Sequence, residues 1–123
     1  NIFFDDINFD KSKFEKSLEI SNLDKLIETF PNKEKTQVGE NSIKISGGQK
    51  QMIGIARAIY RDPEILILDE ATSSIDLLNS EEILKNIKKL KEEKDVTVII
   101  ISHDMKVMDF CDKVFFVKDN EVK

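Results

Sequence analysis

Two apolar runs in the sequence each end in residues able to do chemistry. Ile65-Leu66-Ile67-Leu68 is followed at once by Asp69-Glu70, and the run from Val96 to Ile101 by Ser102-His103, which holds the only histidine in the chain. An aspartate at such a point can hold Mg²⁺ through its water shell, because Mg²⁺ takes oxygen ligands and keeps several of its waters. A glutamate beside it can orient and deprotonate an attacking water, and a histidine can donate a hydrogen bond to a phosphoryl oxygen where charge accumulates. A third feature is Ser46-Gly47-Gly48, within KISGGQKQM (44–52). A helix N-terminus carries unsatisfied amides and about half a positive charge, and glycines let those amides approach an anion without a Cβ in the way. Taken singly, each feature also has a plainer reading: acids that cap a strand, a turn histidine, a serine cap followed by flexible glycines.

Positioning these residues together requires particular elements. Lys11 to Ile20 and Asp24 to Phe30 read as short helices, with Phe14, Leu18, Leu23, Leu26, Ile27 and Phe30 offering apolar faces; residues 1–10 read as irregular and Pro31 to Ser42 as a polar loop. Ser46 reads as the N-cap of a helix to about Tyr60, because Met52, Ile55, Ala56 and Ile59 recur at helical spacing before Asp62-Pro63 breaks the pattern. Ile65–Leu68 and Val96–Ile101 are continuous apolar runs, the pattern of strands buried on both faces. Between them Asn79 to about Glu93 is amphipathic, with Ile83, Ile87 and Leu90 on one side. Asp104 to Cys111 reads as a short helix. Lys113–Lys118 and the residues around Val122 read as final strands joined by an Asp119-Asn120 turn. Strands alternating with helices imply an α/β layer with a largely parallel sheet, whose chemistry lies beyond the carboxyl ends of its strands. That rule brings Asp69, Glu70 and His103 to one edge.

Composition narrows the class. The chain has 123 residues, 40% apolar and 35% charged, with acids and bases interspersed to a net charge of −5. This fits one soluble domain or part of a larger one, offers no broad basic face for nucleic acid, and contains no apolar run near the roughly 20 residues of a membrane span. A single cysteine, Cys111, excludes an internal disulfide and suits a reducing compartment as a semi-buried core thiol. The opening Asn1-Ile2-Phe3-Phe4, without methionine or signal peptide, leads us to expect a fragment.

Together the motifs resemble the ATP-binding-cassette (ABC) ATPases across nearly the whole chain. ISGGQ (45–49) resembles the family's signature, with Ile45 for the usual leucine; ILILDE (65–70) resembles the Walker B strand and catalytic glutamate; SSID (73–76) resembles the D-loop; ISH (101–103) resembles the switch-histidine loop. The resemblance implies a partial P-loop NTPase core, a largely parallel sheet with flanking helices, in residues 63–123, and a helical signature subdomain in residues 1–62. It implies ATP and Mg²⁺ as ligands, with Asp69 holding Mg²⁺ by way of water, Glu70 as general base and His103 on the γ-phosphate. Asp76 would cross a dimer interface to couple two sites. Ser46, Gly47, Gly48 and Gln49 would close over the γ-phosphate of ATP held by a second, head-to-tail nucleotide-binding domain, so the glycines would clear space for the partner's phosphate.

TQVGE (36–40) resembles the exporter-type loop that touches transmembrane domains. The expected function is therefore the C-terminal part of an exporter or flippase nucleotide-binding domain, at the cytoplasmic face of the cell membrane and with no nucleic acid partner. A non-exporter ABC ATPase (an importer, or one soluble and DNA- or ribosome-associated) and a truncated non-catalytic remnant are the alternatives. The phosphate-cradling pattern G-x-x-x-x-G-K-[ST] is missing from the sequence. The chain alone is accordingly expected to bind ATP poorly and hydrolyse none. Met52, where the family commonly has arginine, and Asp104, where many exporters have arginine, are departures.

Overall fold

Asp10 and Ser46 start the longer helices of the first half, each by offering a side-chain oxygen to an amide that the helix itself leaves unpaired. The computed structural model describes residues 9–36, 44–118 and 121–122. Asp10 accepts from Lys13 N at 3.0 Å and opens α1 (Lys11–Ile20). Helix α2 is short (Asp24–Glu28), not the run to Phe30 expected from the sequence. Its last turn tightens, Thr29 N donating to Leu26 O and Phe30 N to Ile27 O, because Phe30 precedes Pro31 and a residue before proline is pushed out of the helical region. A 3-10 turn at Lys33–Lys35 follows within the expected loop. Of the exporter-like pentapeptide only Thr36 is described. Residues 37–40, the irregular opening 1–8 and the Asp119-Asn120 turn lie outside the described residues.

Helix α3 (Gly47–Tyr60) begins where the serine cap requires and buries Met52, Ile53, Ile55, Ala56, Ile59 and Tyr60. Met52 is thus a core residue of this chain. The Tyr60 hydroxyl accepts from Asp10 N at 3.1 Å, tying the end of α3 to the start of α1. Strand β1 (Ile65–Asp69) leads through α4 (Leu77–Glu93) to β2 (Thr97–Ile101), and the two strands pair in parallel, Ile65 opposite Thr97 through Asp69 opposite Ile101. A helical crossover is what parallel neighbours need. Helix α4 starts two residues earlier than its apolar periodicity indicated, because Asp76 caps it by accepting from Asn79 N.

Beyond β2, residues 105–110 form a 3-10 turn. Only Val117–Lys118 of the expected 113–118 strand is extended in a ladder, as β3, paired antiparallel with β4 (Glu121–Val122) in a separate two-stranded sheet. Cys111 is half-buried, and its thiol lies 3.4 Å from Val107 O. Among the described residues no helix is long and apolar enough to cross a membrane.

One hydrophobic cluster runs through both halves of the chain, joining Phe14, Leu18 and Leu23 to α3, to Leu66 and Leu68 of β1, and to Ile83, Ile87 and Leu90 of α4. It covers one face of the parallel pair. The other face is open: Ile65 and Ile67 are 59% and 61% exposed, and Ile99 and Ile101 on the same face are 45% and 51% exposed. The expectation of strands buried on both faces is therefore corrected to burial on one. A continuous apolar run reports that a strand is suited to two covers, and helices among the described residues supply only one.

This asymmetry predicts unequal costs for neighbouring residues. Leu66→Ala removes a side chain packed in the core and should lower the free energy of unfolding by about 2–5 kcal/mol. Ile67→Ala, on the open face, should cost under about 1 kcal/mol. Urea denaturation of the two variants checks this, and equal losses would show that both faces are covered.

Candidate functional site

At the carboxyl end of β1 the chain turns abruptly. Asp69 is the last strand residue, opposite Ile101, and Glu70 takes a left-handed backbone conformation with φ 47°. That region is uncommon for a residue with a side chain and persists where surrounding bonds hold it. Here Glu70 N donates to Ile101 O at 2.9 Å, while Glu70 O accepts from Ser73 N at 3.2 Å and from the Gln51 side chain, Nε2, at 3.0 Å. The turn delivers the Glu70 carboxylate to His103. Oε1 accepts from His103 N at 3.2 Å and lies 2.9 Å from His103 Nδ1. Two groups 33 positions apart in sequence, read from the ends of separate strands, thus meet.

With both contacts on Oε1, Oε2 has no hydrogen-bond partner among the described residues. The carboxylate is a hydrogen-bond acceptor when ionised, so the geometry assigns the ring proton to Nδ1 and leaves Nε2 facing outward. Hydrogen bonding and charge attraction from Glu70 push the His103 pKa up, with Asp104 adding a smaller push. When Nδ1 donates to Glu70, Nε2 is a donor only in the imidazolium form, and the raised pKa favours that form.

The start of α3 is a capping box. Ser46 Oγ accepts from Gln49 N at 3.2 Å, and Gln49 Oε1 accepts from Ser46 N at 2.9 Å. S-x-x-Q is the sequence signature of that arrangement. Ser46 and Gly47 are exposed and Gly48 is half-buried, so the amide turn faces outward. The two glycines are not equivalent. A Cβ on Gly47 would make ordinary contact with Ser74, 3.6 Å away, whereas one on Gly48 would fall 2.6 Å from the Ser74 carbonyl oxygen. Gly48 lacks a side chain because the 73–76 segment of the same chain occupies the space. Gly48 thus has a packing reason within this chain, separate from the ligand role expected of the two glycines.

The residues 73–76 lie against α3 and then cap α4. Asp76 is exposed, and its carboxyl is held below the usual carboxylate range by hydrogen bonds from the Asn79 side chain and backbone. Asn79 in turn accepts from Asn22, which also donates to Glu82, both at 2.7 Å. Asp104 caps the 3-10 turn after His103 and accepts from Lys106 N.

Gln51 escaped the sequence reading. Its Nε2 donates to Glu70 O and to Ser73 Oγ, each at 3.0 Å, and its Oε1 accepts from Ser74 N at 2.8 Å. A polar residue on a helix normally signals a solvated face; the available cue was its position three residues after Gly48, on the same helical face.

Among the described residues no group of three or more histidine, cysteine or acidic side chains could hold a metal ion. The one exposed carboxylate at the strand end, Asp69, fits a hydrated Mg²⁺ that draws its other ligands from water and phosphate. What the edge can do is phosphate chemistry in an α/β protein: an acid with one free oxygen, a histidine biased toward its charged form, and a helix start presenting bare amides.

Comparison with known proteins agrees with that class. A family model described as ABC transporter matches residues 3–73, more than half of the chain, and the chain belongs to that family. It is 34% identical over 122 residues, 99% of its length, to an iron-sulfur clusters transporter, atm1, of Aspergillus fumigatus mitochondria. It is 36% identical over 115 residues, 94% of its length, to an ATP-dependent lipid A-core flippase of Photobacterium profundum. It is 45% identical over 80 residues, 64% of its length, to a methionine import ATP-binding protein, MetN, of Staphylococcus saprophyticus. The chain spans 17%, 19% and 24% of these relatives' lengths. Family membership makes the fold that of P-loop NTPases, whose full-length ABC members are ATPases.

Two outcomes follow from the geometry. Proton NMR of the single histidine should give a titration midpoint above the ordinary value of about 6.5, and Glu70→Gln should return it toward that value. The Glu70–His103 pair accordingly stabilises the folded chain fully below the unfolded-state value, and this contribution is lost as pH rises through the raised midpoint. A wild-type midpoint at or below 6.5 would contradict the pairing. Separately, Gly48→Ala should cost about 1–3 kcal/mol in unfolding free energy by forcing Ser74 away. Gly54→Ala, within α3 and with nothing beyond the helix's own backbone within 4 Å of the added Cβ among the described residues, should stabilise the chain by about 0.5–1 kcal/mol.

Proposed function

We propose that this chain is the C-terminal part of the nucleotide-binding domain of an ABC exporter or flippase, coupling ATP binding and hydrolysis at a head-to-tail dimer interface to transport across a membrane. The observation that carries the proposal is the contact between Glu70 and His103 at the carboxyl edge of the parallel pair, one residue beyond Asp69, in a chain of the ABC transporter family. Residues 1–62 then act as the helical signature subdomain, and residues 63–123 as the second half of the catalytic core. The assembly sits at the inner face of the cell membrane.

In this reading Glu70 is the general base. Its Oε1 is anchored by His103, and its free Oε2 takes the proton of an attacking water. His103, tethered through Nδ1, donates from Nε2 to the γ-phosphate in its imidazolium form, which the Glu70 contact favours. Asp69 would hold Mg²⁺ through water, and the ion supplies neutralisation of phosphate charge. At the start of α3, the amides of Gly47 and Gly48 and the Ser46 hydroxyl proton address the γ-phosphate of ATP on the opposing domain, with Gln49 bracing Ser46. Asp76, capping α4 beside that surface, contacts the opposing domain. Residues 36–40 face the transmembrane domains. The phosphate cradle comes from another part of the protein, since the sequence has none.

An importer-type ATPase is the second reading, favoured by the 45% identity over 80 residues to the methionine import protein. Transmembrane segments on the same polypeptide favour the exporter; a separate membrane subunit favours the importer.

The test uses the full-length protein in lipid vesicles. Glu70→Gln should lower the ATP turnover number by about 10²–10⁴-fold while leaving ATP binding in place. Undiminished hydrolysis by that variant removes Glu70 as base and the proposal with it. In calorimetric titration the 123-residue chain alone should show no tight, Mg²⁺-dependent ATP binding.

A further inference from the structure

We propose that Gln51 is a positioning residue for Glu70, holding the backbone of the 70–74 turn so that the Glu70 carboxylate meets His103. The proposal rests on the reading of Glu70 as general base and adds to it a residue outside the motifs that carry that reading. The carboxamide does three things at once. It donates to the Glu70 carbonyl and to Ser73 Oγ, and it accepts from the Ser74 amide, at 3.0, 3.0 and 2.8 Å. Only a primary amide of this length offers two donors and an acceptor from one terminus.

The residue it holds is the one that needs holding. Glu70 sits at φ 47°, where a side chain is disfavoured, and the direction of its Cα–Cβ bond depends on that conformation. An extended or right-handed helical backbone at position 70 would swing the carboxylate away from His103. The Ser73 N bond to Glu70 O, at 3.2 Å, lies within the same turn and moves with it. Gln51 instead refers the turn to α3, whose next residue, Met52, and then Ile55 and Ala56 are buried in the core. Gly48, one helical turn earlier on the same face, touches Ser74 and Ile75 and fixes the second point of contact. The helix that begins at Ser46 therefore sets the aim of Glu70 through two of its own residues.

The experiment measures steady-state ATP hydrolysis by the full-length protein in lipid vesicles, with Gln51→Met, Gln51→Glu and Glu70→Gln compared to wild type. Gln51→Met keeps length and bulk but makes none of the three hydrogen bonds. Gln51→Glu is isosteric, keeps the acceptor for Ser74 N and loses both donors. Both should lower kcat by about 10–100-fold with KM for ATP within about twofold, since misaiming a base by about an ångström acts on the transition state and leaves ground-state binding alone. Should Gln51→Met fail to fold, Gln51→Glu decides. A folded variant with kcat within about twofold of wild type, or one that raises KM alone, overturns the proposal. If Glu70→Gln is inactive in that same assay, the failure belongs to Gln51 only; if Glu70→Gln hydrolyses normally, the reading of Glu70 fails first and this inference falls with it.

Discussion

The constraint on which the site depends is the left-handed backbone at Glu70. A strand residue in its ordinary conformation would continue β1 and alternate its side chain across the sheet. The reversal at Glu70 ends the strand and turns the next side chain across its edge. Three bonds hold it: to Ile101 at the end of β2, to Ser73 within the turn, and to Gln51 on α3. Each partner lies on a different element, so the turn is specified by the packing of β2 and α3 around β1. The strain of such a residue, of order 1–3 kcal/mol, is comparable to the net worth of two or three hydrogen bonds. The turn is therefore held, with little margin.

What keeps α3 and the strands in register is apolar burial. Each fully buried aliphatic side chain contributes about 1.5–3 kcal/mol, and the cluster joins α1, α3, α4 and β1 through such residues. The ion pairs that decorate the same elements, Lys13 and Lys94 with Asp62, Lys16 with Glu93 and Lys91 with Asp112, are all largely solvent-exposed. Exposed pairs contribute about 0–1 kcal/mol each. The core dominates, and Gln51 is referenced to a helix packed into that core.

Much of this was legible in the residues. Ser46 as a cap, α3 to Tyr60 and the two apolar strands follow from periodicity and local chemistry, which act over a few residues. The edge that joins Glu70 to His103 follows from a rule about parallel sheets. Other features depend on neighbours that no local pattern encodes. Ile65 and Ile67 look like residues meant for burial, and they are open because what would cover them is not among the described helices. Gly48 reads as a phosphate-binding glycine, yet the close approach it permits is to Ser74, 26 positions away. Gln51 is indistinguishable by type from the solvated Lys50 beside it; only the tertiary turn separates them. Helix α2 failed for a local reason, the Phe30-Pro31 step.

The capping box at Ser46 bears on whether the helix start can serve a ligand while also holding itself together. Ser46 uses a lone pair of Oγ to accept from Gln49 N, which leaves its hydroxyl proton available. Gln49 spends its carbonyl on Ser46 N and keeps its amide donors. Both side chains are thus committed as acceptors toward the helix and remain donors toward solvent, together with the Gly47 and Gly48 amides that no helical turn can satisfy. An anion there meets donors already aligned, with no cap to be broken first. A carboxylate at position 49 would close the same box but place a negative charge at the anion's approach. Glutamine gives the cap without that charge, so the phosphate role proposed for these four residues is compatible with their fixing the helix.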